Sequence, residues 1–270
     1  MLGKIIKHEF KATYQGYLLL FGAFFAVTLL TKFSMYVPLE NTIWDILQGI
    51  LLIAWVLLLV FLVMAAMVMA VVRFYKTMVK DEGYLTHTIP VKKSQLLIGK
   101  CIVAFVWIVV SVIVMLLSIF VFAVSTDLMY SLKDGCNYFA ELISQYPQTI
   151  GHLLLALLMA VLSVMASIMM FYASIALGQM FSGHKFAGAV VFYFVINYAF
   201  SFLSSLMMFI MPGFIDKMEA TDNMDGQELL TDGALVFDEF MLMMIALEVV
   251  AFVVFFAIAN WRFSKKLNLD

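Results

Sequence analysis

The chain has 270 residues, of which 65% are hydrophobic and only 13% are charged. About a quarter of the residues of a soluble domain are charged, so this composition excludes a water-soluble globular protein. The formal net charge of −2 gives no support for a nucleic-acid partner. Several runs reach the roughly 20 apolar residues that an α-helix needs to cross about 30 Å of hydrocarbon, and the alternating pattern of an outer-membrane barrel is absent. The sequence therefore predicts a single all-α transmembrane domain with six membrane-spanning helices.

Residues 1–15 predict an amphipathic amino-terminal elbow helix. Its lysines recur at spacings of three and four and share one face, whereas aliphatic and aromatic side chains share the other. These lysines are Lys4, Lys7 and Lys11. Such a helix lies along the inner leaflet with its lysines directed at anionic head groups. Glu9 falls inside the apolar face, which weakens this interpretation unless Glu9 meets a partner.

The six predicted spans follow in order. Residues 17–35 resemble a signal-peptide core, but no small-residue cleavage site follows them, so they are predicted to be an uncleaved first span. The other five are predicted at 46–72, 101–124, 150–177, 186–211 and 239–260. A loop that contains Asp127, Asp134 and Glu141 is predicted between the third and fourth spans, and ends at Pro147. A tight turn at 178–185 joins the fourth span to the fifth, and an acidic extracytoplasmic loop at 212–238 precedes the sixth.

The distribution of charge predicts the orientation. With the amino terminus inside, thirteen of the sixteen Lys and Arg residues are cytoplasmic, and thirteen of the eighteen acidic residues are outside. The positive-inside rule therefore predicts a multi-pass protein of the cytoplasmic (plasma) membrane with both termini in the cytoplasm. Cys101 and Cys136 are expected on opposite sides of the membrane, so no internal disulfide is expected, and Cys136 is the thiol that a membrane-impermeant reagent is expected to reach.

The sequence lacks three common motifs of nucleotide-binding and catalytic sites. The phosphate-binding pattern G-x-x-x-x-G-K-[ST] is missing, and Gly99-Lys100 lacks the glycine that the pattern requires five residues upstream. His8-Glu9 is not part of an H-E-x-x-H metal site, and no G-x-S-x-G nucleophile turn occurs. We therefore expect no enzymatic activity, no metal site and no bound cofactor in this chain.

Residues 73–100 form a polar stretch between the second and third predicted spans. The first residues, from Arg73 to Asp81, can continue the second helix out of the membrane, and Gly83 suits the left-handed conformation that ends helices. Pro90 suits the first turn of a new short helix. Such a helical turn at the cytoplasmic surface fits the docking of a partner, although any cytoplasmic loop is basic and any turn contains Gly and Pro.

The polar stretch resembles the segment between the second and third spans of bacterial ABC-2-type ABC transporter permeases. The similarity rests on about 28 residues at 73–100, with the run Asp-Glu-Gly-Tyr-Leu-Thr-His-Thr-Ile-Pro at 81–90 within them, and on the layout of an elbow followed by six spans. In that family the segment is a coupling helix that sits in a groove of a separate ATP-binding subunit. The resemblance therefore implies an exporter subunit that dimerises with itself or with a second permease, while ATP and Mg are bound by the partner subunit. The docking residues implied are Asp81, Glu82, Gly83 and Tyr84, with Thr86 and Pro90 shaping the turn.

Glu248 is the most conspicuous polar residue of the predicted spans. It lies nine residues into the sixth span, where an ionised carboxylate costs at least a few kcal/mol unless it is paired, hydrated or protonated. It is therefore either part of a translocation path or a neutral carboxyl that hydrogen-bonds a neighbouring helix. Asn197 in the fifth span is a weaker candidate for the path. An ATP-independent secondary transporter and a membrane scaffold or sensor stay open as alternatives, and the sequence does not indicate the substrate.

Overall fold

The computed structural model describes residues 2–37, 41–80, 91–124, 127–181, 183–210 and 234–265. In this part of the chain all regular secondary structure is α-helical, which confirms the all-α part of the predicted fold class. The seven helices are α1 (Leu2–Tyr36), α2 (Thr42–Met78), α3 (Lys93–Ala123), α4 (Asp127–Gln145), α5 (Thr149–Gly178), α6 (Lys185–Ile210) and α7 (Ala234–Lys265).

Six of these helices, all except α4, are long and apolar enough to cross a membrane. At 1.5 Å per residue, the 35 residues of α1 extend over about 52 Å and the 37 residues of α2 over about 56 Å. Both lengths exceed the roughly 30 Å of hydrocarbon in a bilayer. Each of these helices therefore has several turns to spare outside the apolar layer.

The amino-terminal segment differs from its prediction. Residues 1–15 were predicted to form an elbow helix distinct from the first span, but Leu2–Tyr36 is one continuous helix. No proline interrupts this segment, and Gly16 at the expected junction stays helical with the methyl group of Met69 packed against it. The lysine-bearing turns are thus the first turns of α1.

The predicted loop between the third and fourth spans is also different. Most of it, Asp127–Gln145, is the helix α4. The acidic residues and Pro147 suggested a loop, yet Pro147 comes after the end of the helix, and Asp134 and Glu141 share one face of it. No proline lies between Asp127 and Gln145, so the sequence allows a continuous helix there.

The chain divides into two compact units, Met1–Asp134 and Gly135–Asp270. In the first unit, α1, α2 and α3 pack against one another. Hydrogen bonds join Thr13 to Trp107 and Thr28 to Ser118, so residues separated by about 90 positions lie side by side and α1 is parallel to α3. The hydroxyl group of Tyr17 donates to the carbonyl oxygen of Ala66 in the second half of α2, which runs in the opposite direction.

Polar groups hold the three helices of the first unit together within the apolar layer. The hydroxyl oxygens of Thr28 and Ser118 lie 2.9 Å apart, and the indole Nε1 of Trp55 donates to Ser118 over 3.0 Å. One hydroxyl of α3 thereby contacts both α1 and α2. Near the carboxyl end of α3, Lys32 Nζ donates to the carbonyl oxygens of Phe122, at 2.7 Å, and of Val124.

In the second unit, α5 packs against both α6 and α7. His152 pairs with Asp238, and the Ser163 hydroxyl hydrogen-bonds Glu248, so α5 and α7 are parallel with an offset of about 85 residues. The approach of α5 to α6 is very close at Gly178. A Cβ atom there would overlap the backbone nitrogen of Ala189 and come within 2.7 Å of its Cα.

Candidate functional site

Three charged side chains connect α1 to the helix ends on either side of the predicted coupling segment. Lys100 Nζ of α3 donates to the Glu9 carboxylate of α1 over 2.9 Å. Arg73 Nε of α2 lies 3.5 Å from the same carboxylate oxygen. We call these three residues the Glu9 cluster. One acidic side chain of α1 is thereby shared between two cations from two other helices.

The Glu9 cluster is largely shielded from solvent. The side chain of Lys100 is 4% exposed, that of Glu9 14% and that of Arg73 29%. A buried ammonium group requires a counter-charge, because removing an ion from water without one is very unfavourable. Glu9 supplies this counter-charge to Lys100. The carboxylate that the sequence places on the apolar face of the first helical turns therefore has a partner.

The positions of the three residues follow from the helices that carry them. Arg73 lies five residues before the end of α2, and Lys100 lies seven residues after the start of α3. Gly99, next to Lys100, lets α1 approach α3, since a Cβ atom there would lie 3.1 Å from Cγ2 of Ile5. The cluster therefore sits within about two helical turns of the segment that joins α2 to α3.

An aromatic layer continues the contact between α1 and α3 beyond the Glu9 cluster. The indole Nε1 of Trp107 donates to the hydroxyl oxygen of Thr13 over 2.9 Å. The rings of Tyr17 and Trp107 are stacked, with centroids 4.4 Å apart and planes 1° apart. Stacked aromatic pairs of this kind favour one side-chain arrangement, so α1 and α3 are held in a defined register.

The predicted docking residues, Asp81, Glu82, Gly83, Tyr84, Thr86 and Pro90, all lie outside the described residues. The structure describes the chain on both sides of them. Helix α2 continues past the predicted end of the second span to Met78, as expected of a stalk, and α3 begins at Lys93 with Lys92 as its N-cap residue. The described parts of the polar stretch are thus helical almost up to the predicted turn.

Glu248 is buried between two helices of the second unit, with 7% of its surface exposed. The Ser163 hydroxyl of α5 hydrogen-bonds its carboxyl group. Asn197 is half-buried on α6. The contact between Phe200 and Phe255 sets the antiparallel register of α6 and α7, which separates Asn197 from Glu248 by about ten residues, or roughly 15 Å, along the helix axes. The two predicted path residues are not brought together.

Further polar residues of the second unit are not among the predicted site residues. His152 Nδ1 and the Asp238 carboxylate are 2.7 Å apart, near the amino-terminal ends of α5 and α7. Gln179, at the end of α5, is 2% exposed, and neither polar atom of its side chain has a hydrogen-bond partner among the described residues. In the sequence, Gln179 is marked only by its position directly after Gly178, at the end of an apolar run.

The described residues contain no group of three or more His, Cys, Asp or Glu side chains that could hold a metal ion. Cys101 is a buried free thiol and Cys136 an exposed one. The Glu9 cluster joins three helices through one carboxylate and two cations.

Comparison with protein-family models, with curated proteins and with solved structures finds no match to this chain.

Proposed function

We propose that the chain is the transmembrane permease subunit of an ATP-driven exporter of the ABC-2 type. Six helices of spanning length and composition supply a membrane domain, and the motif at 81–90 supplies the contact with a separate ATP-binding subunit. In this proposal the ATP-binding subunit binds ATP and Mg, and the permease acts as a homodimer or beside a second permease. Both termini and the segment 81–90 are cytoplasmic, at the plasma membrane.

The Glu9 cluster is the observation that carries the proposal. A docking segment transmits force only if the helices that carry it are joined to the rest of the membrane domain. Glu9 makes that junction, because its carboxylate meets Lys100 on one flank of the segment and Arg73 on the other. A displacement of the segment by a closing ATPase would then move α1, α2 and α3 as a group.

The proposed transport step follows from this linkage. Closure of the ATP-binding subunits would push on Asp81, Glu82 and their neighbours, and the charge pairs would pass the displacement to α1. Helices of about 50 Å act as levers, so a small rotation at the cytoplasmic end produces a larger displacement at the opposite end. The membrane path would open to the outside in this way.

The experiment is affinity purification of the tagged chain in mild detergent from its native host, followed by mass spectrometry. We expect a stoichiometric soluble protein with nucleotide-binding motifs. Glu82→Lys should remove this partner and ATP-dependent transport, whereas Asp134→Lys, the same charge change on the predicted outer side, should retain both. If Glu82→Lys still recovers the partner in full and transports normally, the docking assignment is wrong.

Glu248 supports a second candidate function, an ATP-independent secondary transporter. Ionisable residues inside spans often belong to proton or substrate paths, and Glu248 is buried with a hydroxyl partner on another helix. Glu248→Gln separates the two functions, because glutamine can still hydrogen-bond Ser163 but cannot take up and release a proton. Transport that follows the proton gradient and is lost in Glu248→Gln would favour this candidate, and ATP-dependent transport that survives the change would exclude it.

A further inference from the structure

Helix α4 is strongly amphipathic. At 100° per residue, its central apolar side chains fall within a sector of roughly 80°. They are Met129, Leu132, Cys136, Phe139 and Ile143. Asp134 and Glu141 lie on the opposite side, about 180° away. The helix thus has one apolar face and one acidic face along its whole length.

The apolar face of α4 is not covered by the described part of the chain. Every residue from 129 to 141 is exposed, including Leu132 at 39% and Phe139 at 46% of their surface. Most of the stability of an amphipathic helix comes from burial of its apolar face, so a helix of 19 residues is at most marginally stable when that face is exposed to water. Something outside the described residues therefore covers this face.

The attachment of α4 to its neighbours indicates what covers it. Three residues separate α3 from α4, and three separate α4 from α5. At no more than about 3.5 Å per residue, each connection spans at most about 14 Å, whereas α4 itself is about 28 Å long. Since α3 and α5 are consecutive spanning helices, the chain leaves and re-enters the membrane at the same surface. Short connections at both ends keep α4 close to that surface and favour an orientation along it.

We infer that α4 is an interfacial helix whose apolar face, from Met129 to Ile143, is inserted into the lipid of the membrane surface between α3 and α5. Such helices bury their apolar face about 5–10 Å into the boundary between head groups and acyl chains. The acidic face then points to water, where its carboxylates stay hydrated. Under the predicted orientation this is the outer surface. The inference depends on the spanning of α3 and α5 and not on the proposed transport function.

Cys136 makes the inference directly testable, because it lies in the apolar sector and is exposed, while Cys101 is buried. The purified full chain is labelled with an environment-sensitive fluorophore at Cys136 and reconstituted into phosphatidylcholine vesicles. A fraction of the lipid carries a nitroxide quencher on the upper acyl chain. The matched control is the double variant Cys136→Ser, Asp134→Cys, which places the fluorophore on the acidic face two residues away. The variant Cys136→Ser measures any background from Cys101.

We expect quenching at position 136 to be roughly three times that at position 134, with blue-shifted emission only at 136, because only the apolar face enters the lipid. Equal quenching at both positions would overturn the inference. Blue-shifted emission at 136 without lipid quenching would also overturn it, since a second copy of the chain or residues 211–233 would then cover the face. The inference further revises the expected reactivity of Cys136, whose thiol should react slowly with polar reagents in vesicles.

Discussion

Lys100 and Glu9 are 91 positions apart in the sequence, yet Nζ of one lies 2.9 Å from a carboxylate oxygen of the other. The ammonium group is almost completely buried, and the carboxylate also contacts Arg73. The first turns of α1 are thereby attached to the two helices that enclose the proposed docking segment. This attachment has consequences for stability and for transport that can be measured separately.

Replacement of Glu9 by Gln should destabilise the protein strongly. Removal of one partner of a buried ion pair leaves the other charge uncompensated, a change that typically costs about 3–5 kcal/mol. We expect a marked loss of thermal stability for Glu9→Gln, measured by unfolding in detergent. Lys11→Gln, which removes an exposed lysine from the same helix, should leave the stability nearly unchanged.

The same pair can be tested by a double-mutant cycle. Glu9→Gln combined with Lys100→Met removes both buried charges, so the combined loss should be clearly smaller than the sum of the two single losses. Strict additivity of the two changes would show that the side chains do not interact. Transport by the double variant should remain impaired even where stability recovers, because the ion pair that joins α1 to α3 near the proposed docking segment is gone.

Ser118→Ala should weaken the packing of all three helices of the first unit. The change removes the partner of the Thr28 hydroxyl and of the Trp55 indole nitrogen, two buried polar groups on different helices. The expected loss is about 1–3 kcal/mol in the free energy of unfolding. Ser111→Ala is the matched control, because Ser111 is equally buried on α3 but bonds to the carbonyl oxygen of Trp107 within its own helix. Equal losses for the two variants would contradict the role of Ser118.

Gly178→Ala should disrupt the second unit. The added methyl group would overlap the backbone of Ala189, which cannot move aside as a flexible side chain could. We expect a poor yield of folded protein, and we expect the protein to elute earlier than the unchanged chain in size-exclusion chromatography. Gly151→Ala lies in the same helix with nothing within 4 Å of the added Cβ, and alanine should there stabilise the helix by up to about 1 kcal/mol. A folded Gly178→Ala protein of normal stability would refute the close approach of α5 and α6.

His152 and Asp238 should show an energetic coupling across α5 and α7. Their side chains are 2.7 Å apart, and interhelical polar contacts in membrane proteins are worth about 0.6 kcal/mol on average, with a maximum of about 1.7. The cycle uses His152→Ala, Asp238→Ala and the double variant, followed by denaturant unfolding. A parallel cycle uses Ser205 in place of Asp238. Ser205 is an exposed serine whose hydroxyl donates to the carbonyl oxygen of Ser201 in its own helix, so its coupling to His152 should be close to zero.

The spans were predictable because the membrane imposes a simple rule of length and apolarity, which the runs ending near Val124 and Leu177 satisfy. Helix α4 was missed for a different reason: its acids and Pro147 resemble a loop, although Leu132 and Cys136, and then Phe139 and Ile143, repeat at helical spacing. The partners of Glu9 could not be predicted from the sequence. Their contact depends on how three helices pack, and no local pattern contains that information.

The contacts of Lys32 bear on the number of positive charges expected on the outer side of the membrane. Lys32 is one of the three cations expected on the outer side, and therefore one of the few exceptions to the positive-inside distribution. Its ammonium group, however, donates to the carbonyl oxygens of Phe122, in the last turn of α3, and of Val124, the residue after it, at the end of the helix that carries partial negative charge. In the folded protein this positive charge is therefore bound to a helix end and is not free at the surface. Under the predicted orientation, the free positive charge on the outer side of the folded protein is accordingly smaller than a count of its lysines.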